Sequence, residues 1–194
     1  MRQFDTTLNS TTADAAAAAV DASSVASSAM VGYEPFTPRE FRDALGRFAT
    51  GVTVVTMHVR AADGTEEAGS YRTYGITVNA FMSVSLDPPL VAISIDKKAP
   101  ATATLQGAER FGVSVLASEQ QVVSDLFAGR PVEEPLQPFE QLASFPVLRG
   151  ALAQLVCSAY QAYEVGDHTI LVGKVEALRH AEGAPLLFFK GQYG

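Results

Sequence analysis

Cysteine is nearly absent. Cys157 is the only one in 194 residues, which excludes an internal disulfide and any metal site built from several thiolates. Tryptophan is missing altogether, and histidine occurs three times, at His58, His168 and His180. Their spacing matches no metal-ligating pattern such as H-E-x-x-H, so no bound metal is expected. Charge is sparse, at 18% of residues, and leans acidic: 14 Lys and Arg against 21 Asp and Glu give a formal net charge of −7. No basic run exceeds Lys97-Lys98, and a phosphate backbone would repel the net charge, so nucleic acid is not expected as a partner. Long hydrophobic runs are lacking as well. Leu90–Ile95 falls far short of the roughly 20 residues that a membrane helix needs. Apolar residues nonetheless make up 47% of the chain, ample for a sizeable core. These features predict a soluble, cytoplasmic protein of a reducing compartment with no membrane association.

Residues 1–32 stand apart, with nine Ala, five Ser and four Thr, one base (Arg2) and three acids (Asp5, Asp14 and Asp21). A secretory signal needs a basic end and a Leu-rich run, and a mitochondrial transit peptide needs several Arg and no acids. Neither fits. The composition predicts a disordered leader, with a helix over Ala15–Val20 as the alternative if a partner covers it. One folded domain, residues 33–194, is expected to follow.

Thr37-Pro38-Arg39-Glu40 carries a capping residue, a proline suited to the first helical position and a capping-box acid. Phe41, Leu45 and Phe48 follow at helical spacing and predict a helix over Phe41–Ala49 that lays an apolar stripe on a core and ends at Gly51. Val52–Val59 is β-branched enough to be a strand. Residues 66–72 read as polar loop and Tyr74–Ser85 as extended chain, broken by Leu86-Asp87-Pro88-Pro89. Leu90–Ile95 reads as a strand buried on both faces, Ala99–Gln106 as a short helix, and Phe111–Leu116 as a strand. A helix capped by Ser118 is predicted to run to Phe127. Residues 129–146 hold four prolines and read as a surface excursion. Ala151–Tyr163, His168–Arg179 and Pro185–Lys190 are the closing strands. About seven strands and three short helices predict a mainly β protein, a small antiparallel barrel with a few peripheral helices.

Reactive side chains are scarce. No G-x-S-x-G occurs, Cys157 lies mid-strand as a small hydrophobe, and no G-x-G-x-x-G opens a helix after a strand. That scarcity favours a borrowed cofactor or plain binding. Three segments are candidates. In Thr77–Ser85 the residues Thr77, Asn79, Ser83 and Ser85 alternate with Val78, Ala80, Met82 and Val84, giving either a hydrogen-bonding row for a flat ring or a strand wet on one side. Asp96-Lys97-Lys98 precedes a helix, giving either an anion pocket or a solvated turn. Gly166-Asp167-His168 is either a plain hairpin turn or a turn presenting His168 to a ligand.

Taken in order, Phe48–Thr56, Gly75–Leu90, Gly166-Asp167-His168-Thr169 and Pro185–Tyr193 resemble the short-chain flavin reductase family, the reductase components of two-component flavin-dependent monooxygenases. The resemblance runs from about Phe36 to Tyr193. It implies an FMN-binding split β-barrel of Greek-key type, a homodimer with each flavin site near the interface, and a monooxygenase partner. By position, Thr50, Gly51, Val52, Thr53, Thr77, Val78, Asn79 and Ala80 would line the isoalloxazine and ribityl chain, continued by Ser83 and Val84. Asp96, Lys97, Lys98 and Thr102 would lie by the phosphate. Gly166, Asp167 and His168, with Lys190, Gln192 and Tyr193, would meet the reduced nicotinamide nucleotide, His168 being the candidate catalytic residue.

The implied activity is hydride transfer from NADH or NADPH to FMN, with FAD as a second possible flavin. Two departures bear on it. Ala99, Pro100 and Ala101 stand where similar reductases carry Ser and Thr near the phosphate. Phe189-Lys190-Gly191-Gln192 replaces a more basic His-Arg-Gly-Arg, which removes charge that a 2′-phosphate would want. The insertion-like Gly69–Tyr74 would fold over the flavin or cross to the other subunit. A tightly flavinated reductase of a ferric chelate or corrinoid, and a flavin-binding module without reductase activity, are the alternatives.

Overall fold

β-Branched and apolar runs account for most of the regular structure. The computed structural model describes residues 35–60, 71–133 and 138–194. The expected leader, residues 1–32, lies outside them, as do Gly69 and Ser70. In chain order the elements are α1 (Pro38–Leu45), β1 (Thr50–Gly51), β2 (Thr53–Arg60), β3 (Tyr71–Val78), β4 (Phe81–Leu86) and β5 (Pro89–Asp96). Then come α2 (Pro100–Gly107), β6 (Arg110–Val115), a 3₁₀ turn (Ser118–Gln120), α3 (Gln121–Phe127), β7 (Phe139–Leu142) and β8 (Phe145–Leu148). The chain closes with β9 (Ala153–Val165), β10 (His168–His180), β11 (Leu187–Phe189) and β12 (Gln192–Tyr193).

Seven strands form one sheet in the order β3-β2-β6-β9-β10-β5-β4, with β1-β11-β12 and β7-β8 as small satellites. All the paired strands are antiparallel. Within β6-β9-β10-β5 the first strand of the four in sequence returns beside the last, a Greek-key arrangement. The ladder stays open between β3 and β4. The mainly β, antiparallel split-barrel class expected from the sequence is therefore what the chain adopts.

Alternation along β2 divides the core. Val55 and Met57 join Val91, Ile93, Ile95 and Phe111 in one cluster, while Val52 and Val54 join Leu116, Leu148 and Leu186 in another. Fully burying each such side chain contributes about 1.5–3 kcal/mol. Cys157 is fully buried within the first cluster. Burial, assisted by the charge of Glu176, pushes its thiol up to about 12. Since only the thiolate reacts, the native protein should resist an aromatic disulfide reagent at mildly alkaline pH and release one equivalent of thiol only after denaturation. Prompt labelling of the native protein would contradict this burial.

Several expectations need correction. The predicted capping box is present: Glu40 N donates to Thr37 Oγ1 at 3.2 Å, and Thr37 N donates to Glu40 Oε2 at 2.8 Å. However, α1 stops at Leu45, and beyond Gly46 the bonds tighten to i→i−3, Arg47 N donating to Ala44 O at 3.1 Å and Phe48 N to Leu45 O at 3.0 Å. No residue of α1 is buried, so the apolar stripe does not pack on a core; Phe48, beyond the helix, is 77% exposed. Gly51 does not end a helix but pairs with Leu187 in β1. Tyr71 and Arg72 lie in a strand rather than a loop. Ser118 starts the 3₁₀ turn instead of capping it, and Gln120 Oε1 accepts from Ala117 N.

The Pro-rich stretch is only partly a surface excursion. Phe145–Leu148 is buried as β8, fastened by Gln154, whose side chain donates to Leu148 O and to Glu140. Among the described residues no helix is long and apolar enough to cross a membrane.

Candidate functional site

Two small residues interrupt the branched run of β5. Val91, Ile93 and Ile95 join the core, so the alternate positions Ala92, Ser94 and Asp96 face the opposite way. Pairing with β10 sets Ile170 opposite Ser94 and His168 opposite Asp96. His168 therefore lies on the same strand face as Ile170, one step further along. Above Ala92 and Ser94 the sheet leaves a cleft of about 930 Å³, a size suited to a small organic ligand.

Asn79, Ala80, Phe81 and Met82 make one side of the cleft, and Arg42, Asp43 and residues 45–48, around the C-terminal end of α1, make another. Thr50 and the β11–β12 turn at Lys190-Gly191 complete it. Backbone bonds hold these walls: Ser94 N donates to Ala80 O at 3.0 Å, and Lys190 N donates to Gly46 O at 2.9 Å. Thr50 Oγ1 is buried with no hydrogen-bond partner among the described residues. Such an orphan costs about 1–3 kcal/mol. A flavin ring, with its apolar faces and polar rim, fits walls of this kind.

The sequence-predicted positions divide into three groups. Thr50, Asn79, Ala80 and Lys190 line the cleft. A second group builds its frame. Val52 and Val78 are core residues, and Gly51 and Gln192 pair with Leu187 and Phe189. Thr53 Oγ1 donates to Val78 O at 2.6 Å, Thr77 Oγ1 to Ser124 O at 2.7 Å, and Thr102 Oγ1 to Asp96 O at 2.6 Å. Tyr193 shares a 2.8 Å hydroxyl bond with Ser124, so its hydroxyl is occupied away from the cleft. Ser83 and Val84 lie exposed on edge strand β4. The expected alternating row is not one strand, because the chain bends at Asn79-Ala80 and Val84 is bulged.

The third group gathers at the end of the β5–β10 pair, where two candidate segments meet. Lys97 N donates to Asp167 O at 2.9 Å. Asp167 Oδ1 lies 2.7 Å from His168 Nδ1, which lowers the Asp167 pKa below the ordinary carboxylate range. Its carboxylate thus stays ionised through mild acidity, and the contact weakens only as pH falls through that lowered value. The expected anion pocket is largely occupied by the protein itself. Lys97 pairs with Glu164 at 3.1 Å. The Lys98, Ala99 and Thr102 amides donate to Asp96 Oδ1, Asp96 O and Ala99 O, and neither Lys97 nor Lys98 lines the cleft.

Sequence reasoning missed Arg42, Arg47, Ala92, Ser94 and Ile170 as cleft residues. A signal for two of them was present. Ala92 and Ser94 are small residues two apart in a strand otherwise built of Leu, Val and Ile.

Residues 45–194 match the family described as flavin reductase like domain. An NADH-dependent flavin reductase from Rhodococcus is 42% identical over 157 residues, covering 81% of this chain and 85% of that one. The reductase component of 4-hydroxyphenylacetate 3-monooxygenase from Thermus thermophilus is 42% identical over 154 residues, covering 79% and 93%. The solved flavin reductase PheA2 superposes with a TM-score of 0.73 at 41% identity, covering 82% of this chain and 97% of that one. With its open antiparallel sheet and a cleft able to take a flat ring, the chain belongs to the flavin reductase like family.

Proposed function

We propose that this protein is an NADH-dependent flavin reductase that supplies reduced flavin to a partner monooxygenase in the cytoplasm. One observation carries the reading: Thr50 and Asn79 line a cleft of about 930 Å³ whose floor, Ser94 and Ile170, leads along β10 to His168. The relatives' activities support it. FMN is the flavin assigned, with FAD as the second. When both ligands are bound, the chemistry is hydride transfer from nicotinamide to flavin. The protein's part is to hold the two rings in contact and exclude water, which converts a bimolecular step into a local one. Mixing the protein with NADH and excess FMN should deplete the nicotinamide absorbance catalytically. No oxidation with NADH or NADPH would contradict the proposal.

His168 is assigned to the nicotinamide, oriented by Asp167. His168→Ala should raise the KM for NADH about ten-fold, the loss of one hydrogen bond, while the KM for FMN moves less than about two-fold. Equal effects on both ligands would refute the assignment.

A homodimer is proposed as the working state. Edge strand β4 exposes Met82, Val84 and Leu86, the last 94% exposed, next to cleft residues Phe81 and Met82. An open apolar edge of this kind needs covering. Sedimentation at micromolar concentration should give twice the 20.5 kDa chain mass; a monomer with full FMN affinity would contradict a shared site.

A further inference from the structure

Arg42, Arg47 and Lys190 line the cleft with a single carboxylate, Asp43. None of the three cations has an ion-pair partner among the described residues, whereas Asp43 lies 3.8 Å from Arg39. A local excess of two positive charges therefore faces the cleft of a chain whose net charge is −7. Low-dielectric walls focus such a field on a bound anion. Cations at the end of α1 also complement the helix dipole, which accounts for Arg42 and Arg47. It does not account for Lys190, which arrives from a separate hairpin.

Lys190 is held at this spot against its own preference. It occupies φ 51° and Gly191 φ 79°, the central positions of the turn joining paired Phe189 and Gln192. That left-handed region disfavours a long side chain. The Lys190 N–Gly46 O bond pins the turn against the segment between Arg42 and Arg47, and Lys190 Nζ lies 5.1 Å over the Phe189 ring. The lysines expected at a phosphate, Lys97 and Lys98, stand outside the cleft.

We infer that Arg42, Arg47 and Lys190 form an anion subsite for the phosphate-bearing arm of a ligand whose ring lies over Ala92 and Ser94. The inference rests on the flavin reductase reading and deepens it. A phosphoester arm belongs to FMN and FAD and equally to the nicotinamide nucleotide; riboflavin has the ring without the phosphate.

The test compares the wild type with Arg42→Gln/Arg47→Gln and with the charge-preserving Arg42→Lys/Arg47→Lys. Both positions are exposed, so folding should be unaffected. Binding of FMN, FAD and riboflavin is read by flavin fluorescence, and the KM for NADH and NADPH by turnover. The Gln variant should bind FMN and FAD about ten-fold more weakly with riboflavin unchanged, and the Lys variant should restore most of the loss. Added salt should weaken FMN binding to the wild type but not to the Gln variant. A loss confined to NADH and NADPH would also support the subsite and assign it to the nucleotide. Phosphate-bearing ligands that all stay within about two-fold, or riboflavin weakened as much as FMN, would overturn it. Phosphate-dependent FMN binding without NADH oxidation would leave the subsite standing and sink the reductase reading instead.

Discussion

Ser94→Phe should cut kcat/KM for NADH oxidation by about 100-fold or more while leaving the protein folded. The Ser94 side chain is half-buried and faces the cleft, not the core, so a phenyl ring placed there occupies ligand space. Its backbone bond to Ala80 O does not depend on the side chain. A misplacement of about 1 Å can cost about 100-fold in rate, and a ring in the floor of the cleft displaces a ligand by more. The thermal midpoint should stay within about 3 °C of the wild type. Unaltered turnover by a folded variant would mean that hydride transfer takes place elsewhere.

The largest effect on stability is expected at Gly112 in β6. A Cβ there would meet Thr56 Oγ1 and would lie 2.8 Å from the Pro146 carbonyl. The Thr56 hydroxyl cannot give way without losing its 2.6 Å bond to that same carbonyl. Gly112→Ala therefore combines overpacking with a lost buried hydrogen bond, together about 4 kcal/mol. For a domain of this size the midpoint should drop by about 10 °C, and denaturant unfolding should shift in parallel. A change of less than about 1 kcal/mol would show that β8 can move away from β6 at little cost.

These two sites show what a sequence can and cannot disclose. Strands announced themselves in the longer β-branched runs, Val52–Val59 and Leu90–Ile95, because period and β-branching are local properties. The α1 start was equally legible, since a capping box is complete within four residues. The burial of Phe145–Leu148 was not legible. It depends on Gln154 and Thr56, outside the hairpin in sequence, holding β8 against the sheet. The apolar stripe of α1 misled for the same reason: spacing marks one face of a helix but not what that face meets.

The candidate site was legible in part. Thr50, Asn79, Ala80 and Lys190 do converge, and Asp96-Lys97-Lys98 does meet Gly166-Asp167-His168. Hydroxyls such as those of Thr53 and Thr77 were ambiguous, because a threonine that holds a ligand and one that braces a neighbouring carbonyl look alike in sequence. Only the partners, Val78 O and Ser124 O, distinguish them.

The most direct test of the cleft as the place where nicotinamide and flavin meet is an anaerobic single turnover. Protein carrying one equivalent of FMN is mixed with one equivalent of NADH while the flavin's visible absorption is followed. Complete bleaching in the wild type, slowed at subsaturating NADH in His168→Ala and slowed about 100-fold or more in Ser94→Phe, is the predicted result. Wild-type protein that binds FMN but is not bleached, or Ser94→Phe bleached at the wild-type rate, would contradict it.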